Sequence, residues 1–256
     1  QAIGAFADET VDKHQETFDE ENLRDFIDAY LKHMETNRKD SESSFNETHG
    51  RLNLVNILLD LFVAGAETTA TTLSWAMLFM IKYPQVQENV QKELDRVIGR
   101  NRLPNIDDRK NLPYTEAVIH EIQRTANIAP MSLIHYTSKE TRIGEFYIPS
   151  DTQIIPNLSA ILWDPKVFPD PQKFDPNRFI NAQGEFVPHP RVIPFGVGKR
   201  RCLGESLAKV TLFKFFTGIV QRFNIASDGD PEELSMEPKS ALACGPQPYN
   251  ARLFAR

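Results

Sequence analysis

The chain has 256 residues and a formal net charge of -6, and its 41% hydrophobic content is enough to bury a core. Only two cysteines are present, Cys202 and Cys244, which excludes a disulfide scaffold and fits a reducing compartment. Residues 1–50 hold thirteen Asp/Glu against five Lys/Arg, and this acidic leading segment argues against nucleic acid as a partner.

The chain opens with Gln1 and reads as truncated, with neither a signal peptide nor a membrane span expected. The nearest candidate for a span, residues 54–66, is interrupted by Asn56 and Asp60 and runs into Glu67, so it reads as a core helix. Before it, residues 9–18 look helical, and Leu23, Phe26, Ile27, Tyr30, Leu31 and Met34 fall on one helical face. Residues 37–50 are polar and read as an exposed loop. Asn46, Glu47 and Thr48 form a glycosylation triplet there, which a cytosol-facing chain leaves unmodified.

Residues 51–83 contain no proline and one glycine, so they can form a helix of about nine turns, closed by Pro84. Gly65 in its middle costs about 1 kcal/mol relative to alanine, and Thr68, Thr69, Thr71 and Thr72 can bond back to helix carbonyls and bend or widen the turn. Ala64, Gly65, Thr68 and Thr72 share a stripe of small residues. The stripe suits close helix packing or the approach of a flat cofactor, and Glu67, as a carboxylate in a buried helix, calls for a partner or a role.

Residues 84–99 read as a surface helix that buries Val86, Val90, Leu94, Val97 and Ile98. A further helix is expected over residues 111–125, where Glu121 lies on the apolar stripe and Arg124, one turn later, can compensate it. Short strands are expected at residues 131–137, 141–148 and 153–157. Nine of the seventeen prolines lie in residues 149–194, which therefore read as an ordered but irregular loop. The stretch PFGVGKRRCLGE, residues 194–205, sets Cys202 among Gly196, Gly198, Gly204 and three basic residues, surroundings that favour a thiolate. An amphipathic helix follows over residues 203–223, and turns with short apolar runs, ending as a hairpin, fill the rest. From its residues alone, Cys202 reads either as a metal ligand or as a buried, inert thiol.

The spacing Phe195, Gly198, Arg200, Cys202, Gly204 resembles the haem-binding loop of the cytochromes P-450. AGAETT, residues 64–69, resembles that family's oxygen-activation sequence, and Glu121 with Arg124 fits its ExxR element. PNRF, Pro176–Phe179, resembles the segment whose arginine, here Arg178, completes a Glu-Arg-Arg triad, although Asn177 stands where the family more often has Glu. RDFIDAYL, residues 24–31, is similar to a segment of animal microsomal, family-two-like members.

The resemblance implies a mainly α fold with small β-sheets, residues 1–256 forming the carboxy-terminal part of a single domain whose amino-terminal half is absent. It implies a haem-thiolate monooxygenase in which Cys202 is the axial ligand of haem b. Arg200 and His135 would contact propionates, and Phe195, Gly198, Gly204, Ala64 and Gly65 would line the cofactor. Thr68 would hydrogen-bond the dioxygen being activated, and Glu67 would help deliver protons. Electrons would come from NADPH through a flavoprotein reductase, with cytochrome b5 as a second donor, and the substrate would be a small apolar molecule whose pocket wall includes the strand near Met131 and a turn at residues 241–245. The implied location is the cytosolic face of the endoplasmic reticulum membrane, anchored by the amino-terminal part. Residues 188–214 carry six Lys/Arg against one Asp/Glu, and Lys199, Arg201, Lys209 and Lys214 would make the reductase-docking face. Two rival readings are a haem-binding or interaction fragment without monooxygenase activity and a redox or zinc cysteine; the latter lacks a second cysteine nearby.

Overall fold

A computed structural model describes residues 2–256, which form two compact units, one ending at Glu67 and the other Thr68–Arg256. The first holds α1 (Ala2–Glu16), α2 (Phe26–Asn37) and the leading part of α3 (Gly50–Lys82). Val11, Ile27, Tyr30, Leu31, Leu54 and Val55 form its core, while Leu23 and Phe26, expected on the same face of α2, are exposed. Asp25 caps α2 by accepting from the backbone N–H groups of Ile27 and Asp28. Arg24 hydrogen bonds hold the fully buried Asp28 carboxyl down at about 2. The loop before α3 is less open than its composition suggests. Asn46 is buried, accepts from the backbone N–H groups of Thr48 and His49 and donates to the Ser41 carbonyl, so the amide of the glycosylation triplet is already engaged.

The 33 residues of α3 form an unbroken α-helix, without the widened turn expected at its threonines, although Thr72 Oγ1 does donate back to the Thr68 carbonyl at 2.9 Å. By length and composition α3 could cross a membrane. The core-helix reading of residues 54–66 holds for Leu54 and Val55 but fails from Leu61 onward. Residues 61–68 are all exposed, because they fall between the apolar cluster that ends near Leu59 and the one that starts near Leu73.

In the second unit the later turns of α3 supply Trp75, Leu78, Phe79 and Met80 to a core completed by α4 (Pro84–Val97), α5 (Pro113–Ala126) and α7 (Glu205–Arg222). α4 is more than a surface helix, since Gln87, Gln91 and Glu93 are buried as well as Val90 and Leu94. Gln87 donates to the carbonyls of Met80 and Ile225 and accepts from the Ile225 N–H, and Gln91 donates to the Phe223 carbonyl. The Glu93 carboxylate accepts from the backbone N–H groups of Tyr114 and Thr115 and from the Thr115 hydroxyl. It thereby caps α5, whose first turn starts with Pro113 and has no side-chain cap of its own.

The strands are short and make four two-stranded sheets among the described residues. β1 (His135–Tyr136) pairs antiparallel with β4 (Gln153–Ile154), shorter than expected for both. Residues 141–148 are a hairpin rather than one strand, β2 (Thr141–Ile143) against β3 (Phe146–Ile148), because Gly144 turns the chain at φ 59°. After α6 (Ser159–Leu162) comes the irregular proline-rich stretch. β5 (Phe223–Ser227) then pairs with β8 (Ala251–Ala255), and β6 (Pro238–Lys239) with β7 (Gly245–Pro246).

Gln87→Leu leaves the Ile225 N–H and two carbonyls without partners in the core, and is expected to destabilise the second unit by about 1–3 kcal/mol. Denaturant unfolding monitored at Trp75 checks this; an unchanged midpoint refutes it.

Candidate haem-thiolate site

The site is built outward from a buried ion pair. Glu121 and Arg124 face one another across one turn of α5, both side chains fully buried, with Nε to Oε2 at 2.6 Å and Nη2 to Oε1 at 2.8 Å. Two desolvated charges need every remaining hydrogen-bonding position filled, and the irregular stretch supplies the partners. Arg124 donates to the carbonyls of Leu162 and Lys173, Asp175 donates its backbone N–H to Glu121 Oε1 at 2.9 Å, and the Phe168 ring lies 5.2 Å from the guanidinium carbon of Arg124. Arg178, on the short 3-10 turn Pro176–Phe179, brings Nε to 3.5 Å from Glu121 Oε1 and donates to the carbonyls of Asp170 and Lys173. The three residues named from the sequence therefore meet as one cluster.

The cysteine loop is closed by its backbone. The Cys202 N–H donates to the Phe195 carbonyl at 2.9 Å, and between them Gly196 and Gly198 adopt φ values of 71° and 74°, which a side chain would strain. Gly204, by contrast, has φ -85°, and an added Cβ there would meet nothing within 4 Å. Cys202 is a free, exposed thiol two residues before the helix cap at Gly204, which removes the buried, inert reading. Exposed apolar side chains flank it, Val197 and Leu203 and, a turn on, Leu207. Arg200 is exposed and its guanidinium makes no hydrogen bond or ion pair with the described residues. Arg201 and Lys209 both pair with Glu205, at 2.9 and 2.6 Å, so the basic island expected for docking is partly neutralised from within.

The other candidates are less tied together. Ala64, Gly65 and Glu67 are exposed residues of the first unit, so the burial that seemed to demand a role for Glu67 is not found. An added Cβ at Gly65 would meet nothing within 4 Å. Thr68 opens the second unit and is also exposed. His135 is half-buried in β1, opposite Ile154. Cys244 acts through its backbone: its N–H donates to the Ile128 carbonyl and its carbonyl accepts from Trp75 Nε1. A groove of about 600 Å³, lined by Thr71, Ser74, Met77, Ile225, Tyr249 and Leu253 among others, includes none of the candidate haem or catalytic residues, though Gly245, from the turn expected in the substrate wall, is on its lining.

Sequence reasoning missed two groups around the cluster. Glu93 and Gln87 were hidden because polar residues on a charged helix read as solvent-facing; their spacing with Val90 and Leu94 is the signal that they share the inner face. His120, beside Glu121, packs edge-on against Phe179 and Phe186 at ring distances of 4.6 and 5.4 Å.

A loop that presents one thiol among apolar side chains and an uncommitted guanidinium, in the same unit as a Glu-Arg-Arg cluster, is the arrangement the haem-thiolate motifs imply. The family model for Cytochrome P450 matches residues 1–253, both units included, and the chain belongs to that family. It is 44% identical over its whole length to cytochrome P450 2B4 of Oryctolagus cuniculus, covering 52% of that protein. It is 42% identical to cytochrome P450 2H1 of Gallus gallus, with 100% of this chain and 51% of the relative aligned, and 42% identical to cytochrome P450 2U1 of Homo sapiens, with 99% and 46%. The chain thus spans about half the length of the curated relatives it matches.

Arg124→Met takes from the buried Glu121 carboxylate its closest charge partner, leaving it Arg178 at 3.5 Å and the Asp175 N–H, and is expected to cost about 3–5 kcal/mol, whereas Glu121→Leu with Arg124→Met, removing both charges of the pair, should restore much of the loss. Denaturation of the three proteins decides; a double variant no more stable than Arg124→Met refutes the assignment of the loss to an under-compensated charge.

Proposed function

We propose that this chain carries the haem-ligating half of a monooxygenase that inserts one atom of dioxygen into a small apolar substrate. The observation that carries the reading is Cys202, an exposed thiol on a glycine-turned loop closed onto Phe195. The donor set fits haem b. Cys202 would supply the sulfur ligand, Val197, Leu203 and Leu207 would offer apolar surface to a macrocycle, and Arg200 has a guanidinium to spare for one of its carboxylates. Bound haem supplies the oxygen-activating redox chemistry.

The protein's part is to hold and to deliver. The Cys202 N–H is spent on Phe195, so the loop orients the sulfur, which lies two residues before the helix N-cap at Gly204 and next in the chain to Lys199, Arg200 and Arg201. Phe195 and Gly198 shape the loop, Gly204 begins the helix, and by the family resemblance His135 would be a second partner for a propionate. By the same resemblance Ala64 and Gly65 on α3 would leave room for the cofactor, Thr68 would hold a proton for the oxygen, and Glu67 would relay one. Glu121, Arg124 and Arg178 position the loop without touching substrate.

Electrons come from NADPH through a flavoprotein reductase, with cytochrome b5 as an alternative donor, at the cytosolic face of the endoplasmic reticulum. Lys199 and Lys214 carry the docking charge, because Arg201 and Lys209 are shared with Glu205. A second reading, haem binding without independent turnover, is favoured by the exposure of residues 61–68.

Haem-loaded protein, reduced and exposed to carbon monoxide, should show a long-wavelength thiolate Soret band that is lost in Cys202→Ala. Retention of the band in that variant would overturn the ligand assignment. Turnover with a reductase separates the two readings: a normal band with no oxygenated product selects the second. In the active protein, Thr68→Ala should lower coupled product formation by about tenfold or more while sparing the band.

A further inference from the structure

Between the Glu-Arg-Arg cluster and the cysteine loop the chain passes through Pro188, His189 and Pro190. Both prolines lack a backbone N–H, so His189 has the only one in the tripeptide. That N–H donates to Nε2 of His120 at 3.4 Å, and Nδ1 of His189 accepts in turn from the Arg191 N–H at 3.2 Å. The Val192 N–H then closes a turn onto the His189 carbonyl, and the loop of Cys202 begins a few residues later. His120 is itself clamped edge-on by Phe179 and Phe186, and His189 packs edge-on against Phe168 at 4.9 Å.

We propose that His120 is a positioning residue for the cysteine loop, its bare Nε2 latching the His189 backbone so that segment 186–193 enters the loop on one path, and that acid opens this latch. The inference rests on the haem-thiolate reading for its functional consequence, though not for the latch itself. An imidazole can accept at Nε2 only while neutral, with its proton on Nδ1. Protonation turns the acceptor into a second N–H pointing at the His189 N–H, which converts the bond into a repulsion.

The positive charges of Lys209 from α7 and Arg124 from α5 itself oppose that proton, as does the neighbouring imidazole of His189 from the irregular stretch. The carboxylates of α5 nearest in sequence are committed elsewhere, Glu121 to Arg124 and Glu116 to Arg109. Burial first, then these charges, pushes His120 down to about 4. A histidine held neutral in the folded chain contributes stability that is fully present above its ordinary value of about 6.5 and is lost as pH falls towards about 4. The latch is therefore closed at neutral pH.

His120→Gln places a non-titrating acceptor at the same reach, and His120→Phe keeps the ring packing without any acceptor. Amide hydrogen exchange of residues 186–193 is compared among the haem-loaded wild type and both variants at each pH from 7 to 4, with β5 and β8 as the internal reference. At pH 7, His120→Phe should exchange about five- to tenfold faster in that segment, the loss of one hydrogen bond, and His120→Gln should match wild type. Towards pH 4 the wild-type segment should lose protection relative to His120→Gln, and its thiolate Soret band should disappear at a higher pH than that of the glutamine variant. Equal acid sensitivity of wild type and His120→Gln, or full protection in His120→Phe, would overturn the latch. A wild type with no thiolate band at pH 7 would instead sink the haem-thiolate reading, and the exchange data would still decide the latch.

Discussion

The constraint on which the second unit depends is the desolvated pair Glu121 and Arg124. Two opposite charges buried together roughly break even against apolar packing, so the pair itself does not explain why the unit is stable. Its value is geometric. Having left water, the two side chains must fill their remaining hydrogen-bonding positions from whatever chain surrounds them, and here that chain is a proline-rich stretch with almost no secondary structure. Carbonyls from Leu162 and Lys173 and the N–H of Asp175 are drawn to fixed points around one helix turn. An irregular segment thereby acquires a definite path.

That path leads to the cysteine. From Asp175 the chain makes the turn that carries Arg178 back to Glu121, crosses the aromatic clamp of Phe179, Phe186 and His120, and enters the loop closed between Phe195 and Cys202. One antiparallel bridge, Ile180 against Phe186, pins the middle of this path, and the other steps are held by side chains or single backbone bonds. Such a segment can present a thiol outward, as a strand or helix interior could not, while its position still derives from the rigid helix α5.

A second pattern is the use of buried amides and carboxylates as joints. Gln87 and Gln91 join α4 to β5, and Glu93 caps α5 from the neighbouring helix. Glu93 and Gln91 complete backbone bonding at the end of another element, where intrahelical or ladder partners run out, and Gln87 completes it at Ile225, the middle of β5, on the edge not paired with β8. α3 shows the complement. Where neither apolar cluster reaches it, across residues 61–68, it is exposed on all sides.

What could be read from the sequence was whatever depends on residues close together along the chain. The i, i+3 spacing of Glu121 and Arg124, the glycines that permit positive φ at 196 and 198 and the proline-free run that became α3 all follow from local backbone geometry and local chemistry. The tertiary structure alone decided burial, because burial depends on which distant segment lies opposite. It exposed Glu67, enclosed Gln87, Glu93 and Asn46, split residues 141–148 into a hairpin, and set the His189 N–H against His120, a contact across 69 positions of the chain. No periodicity or spacing carries that information. A polar residue looks the same in sequence whether its partner is water or a backbone group brought in from far along the chain.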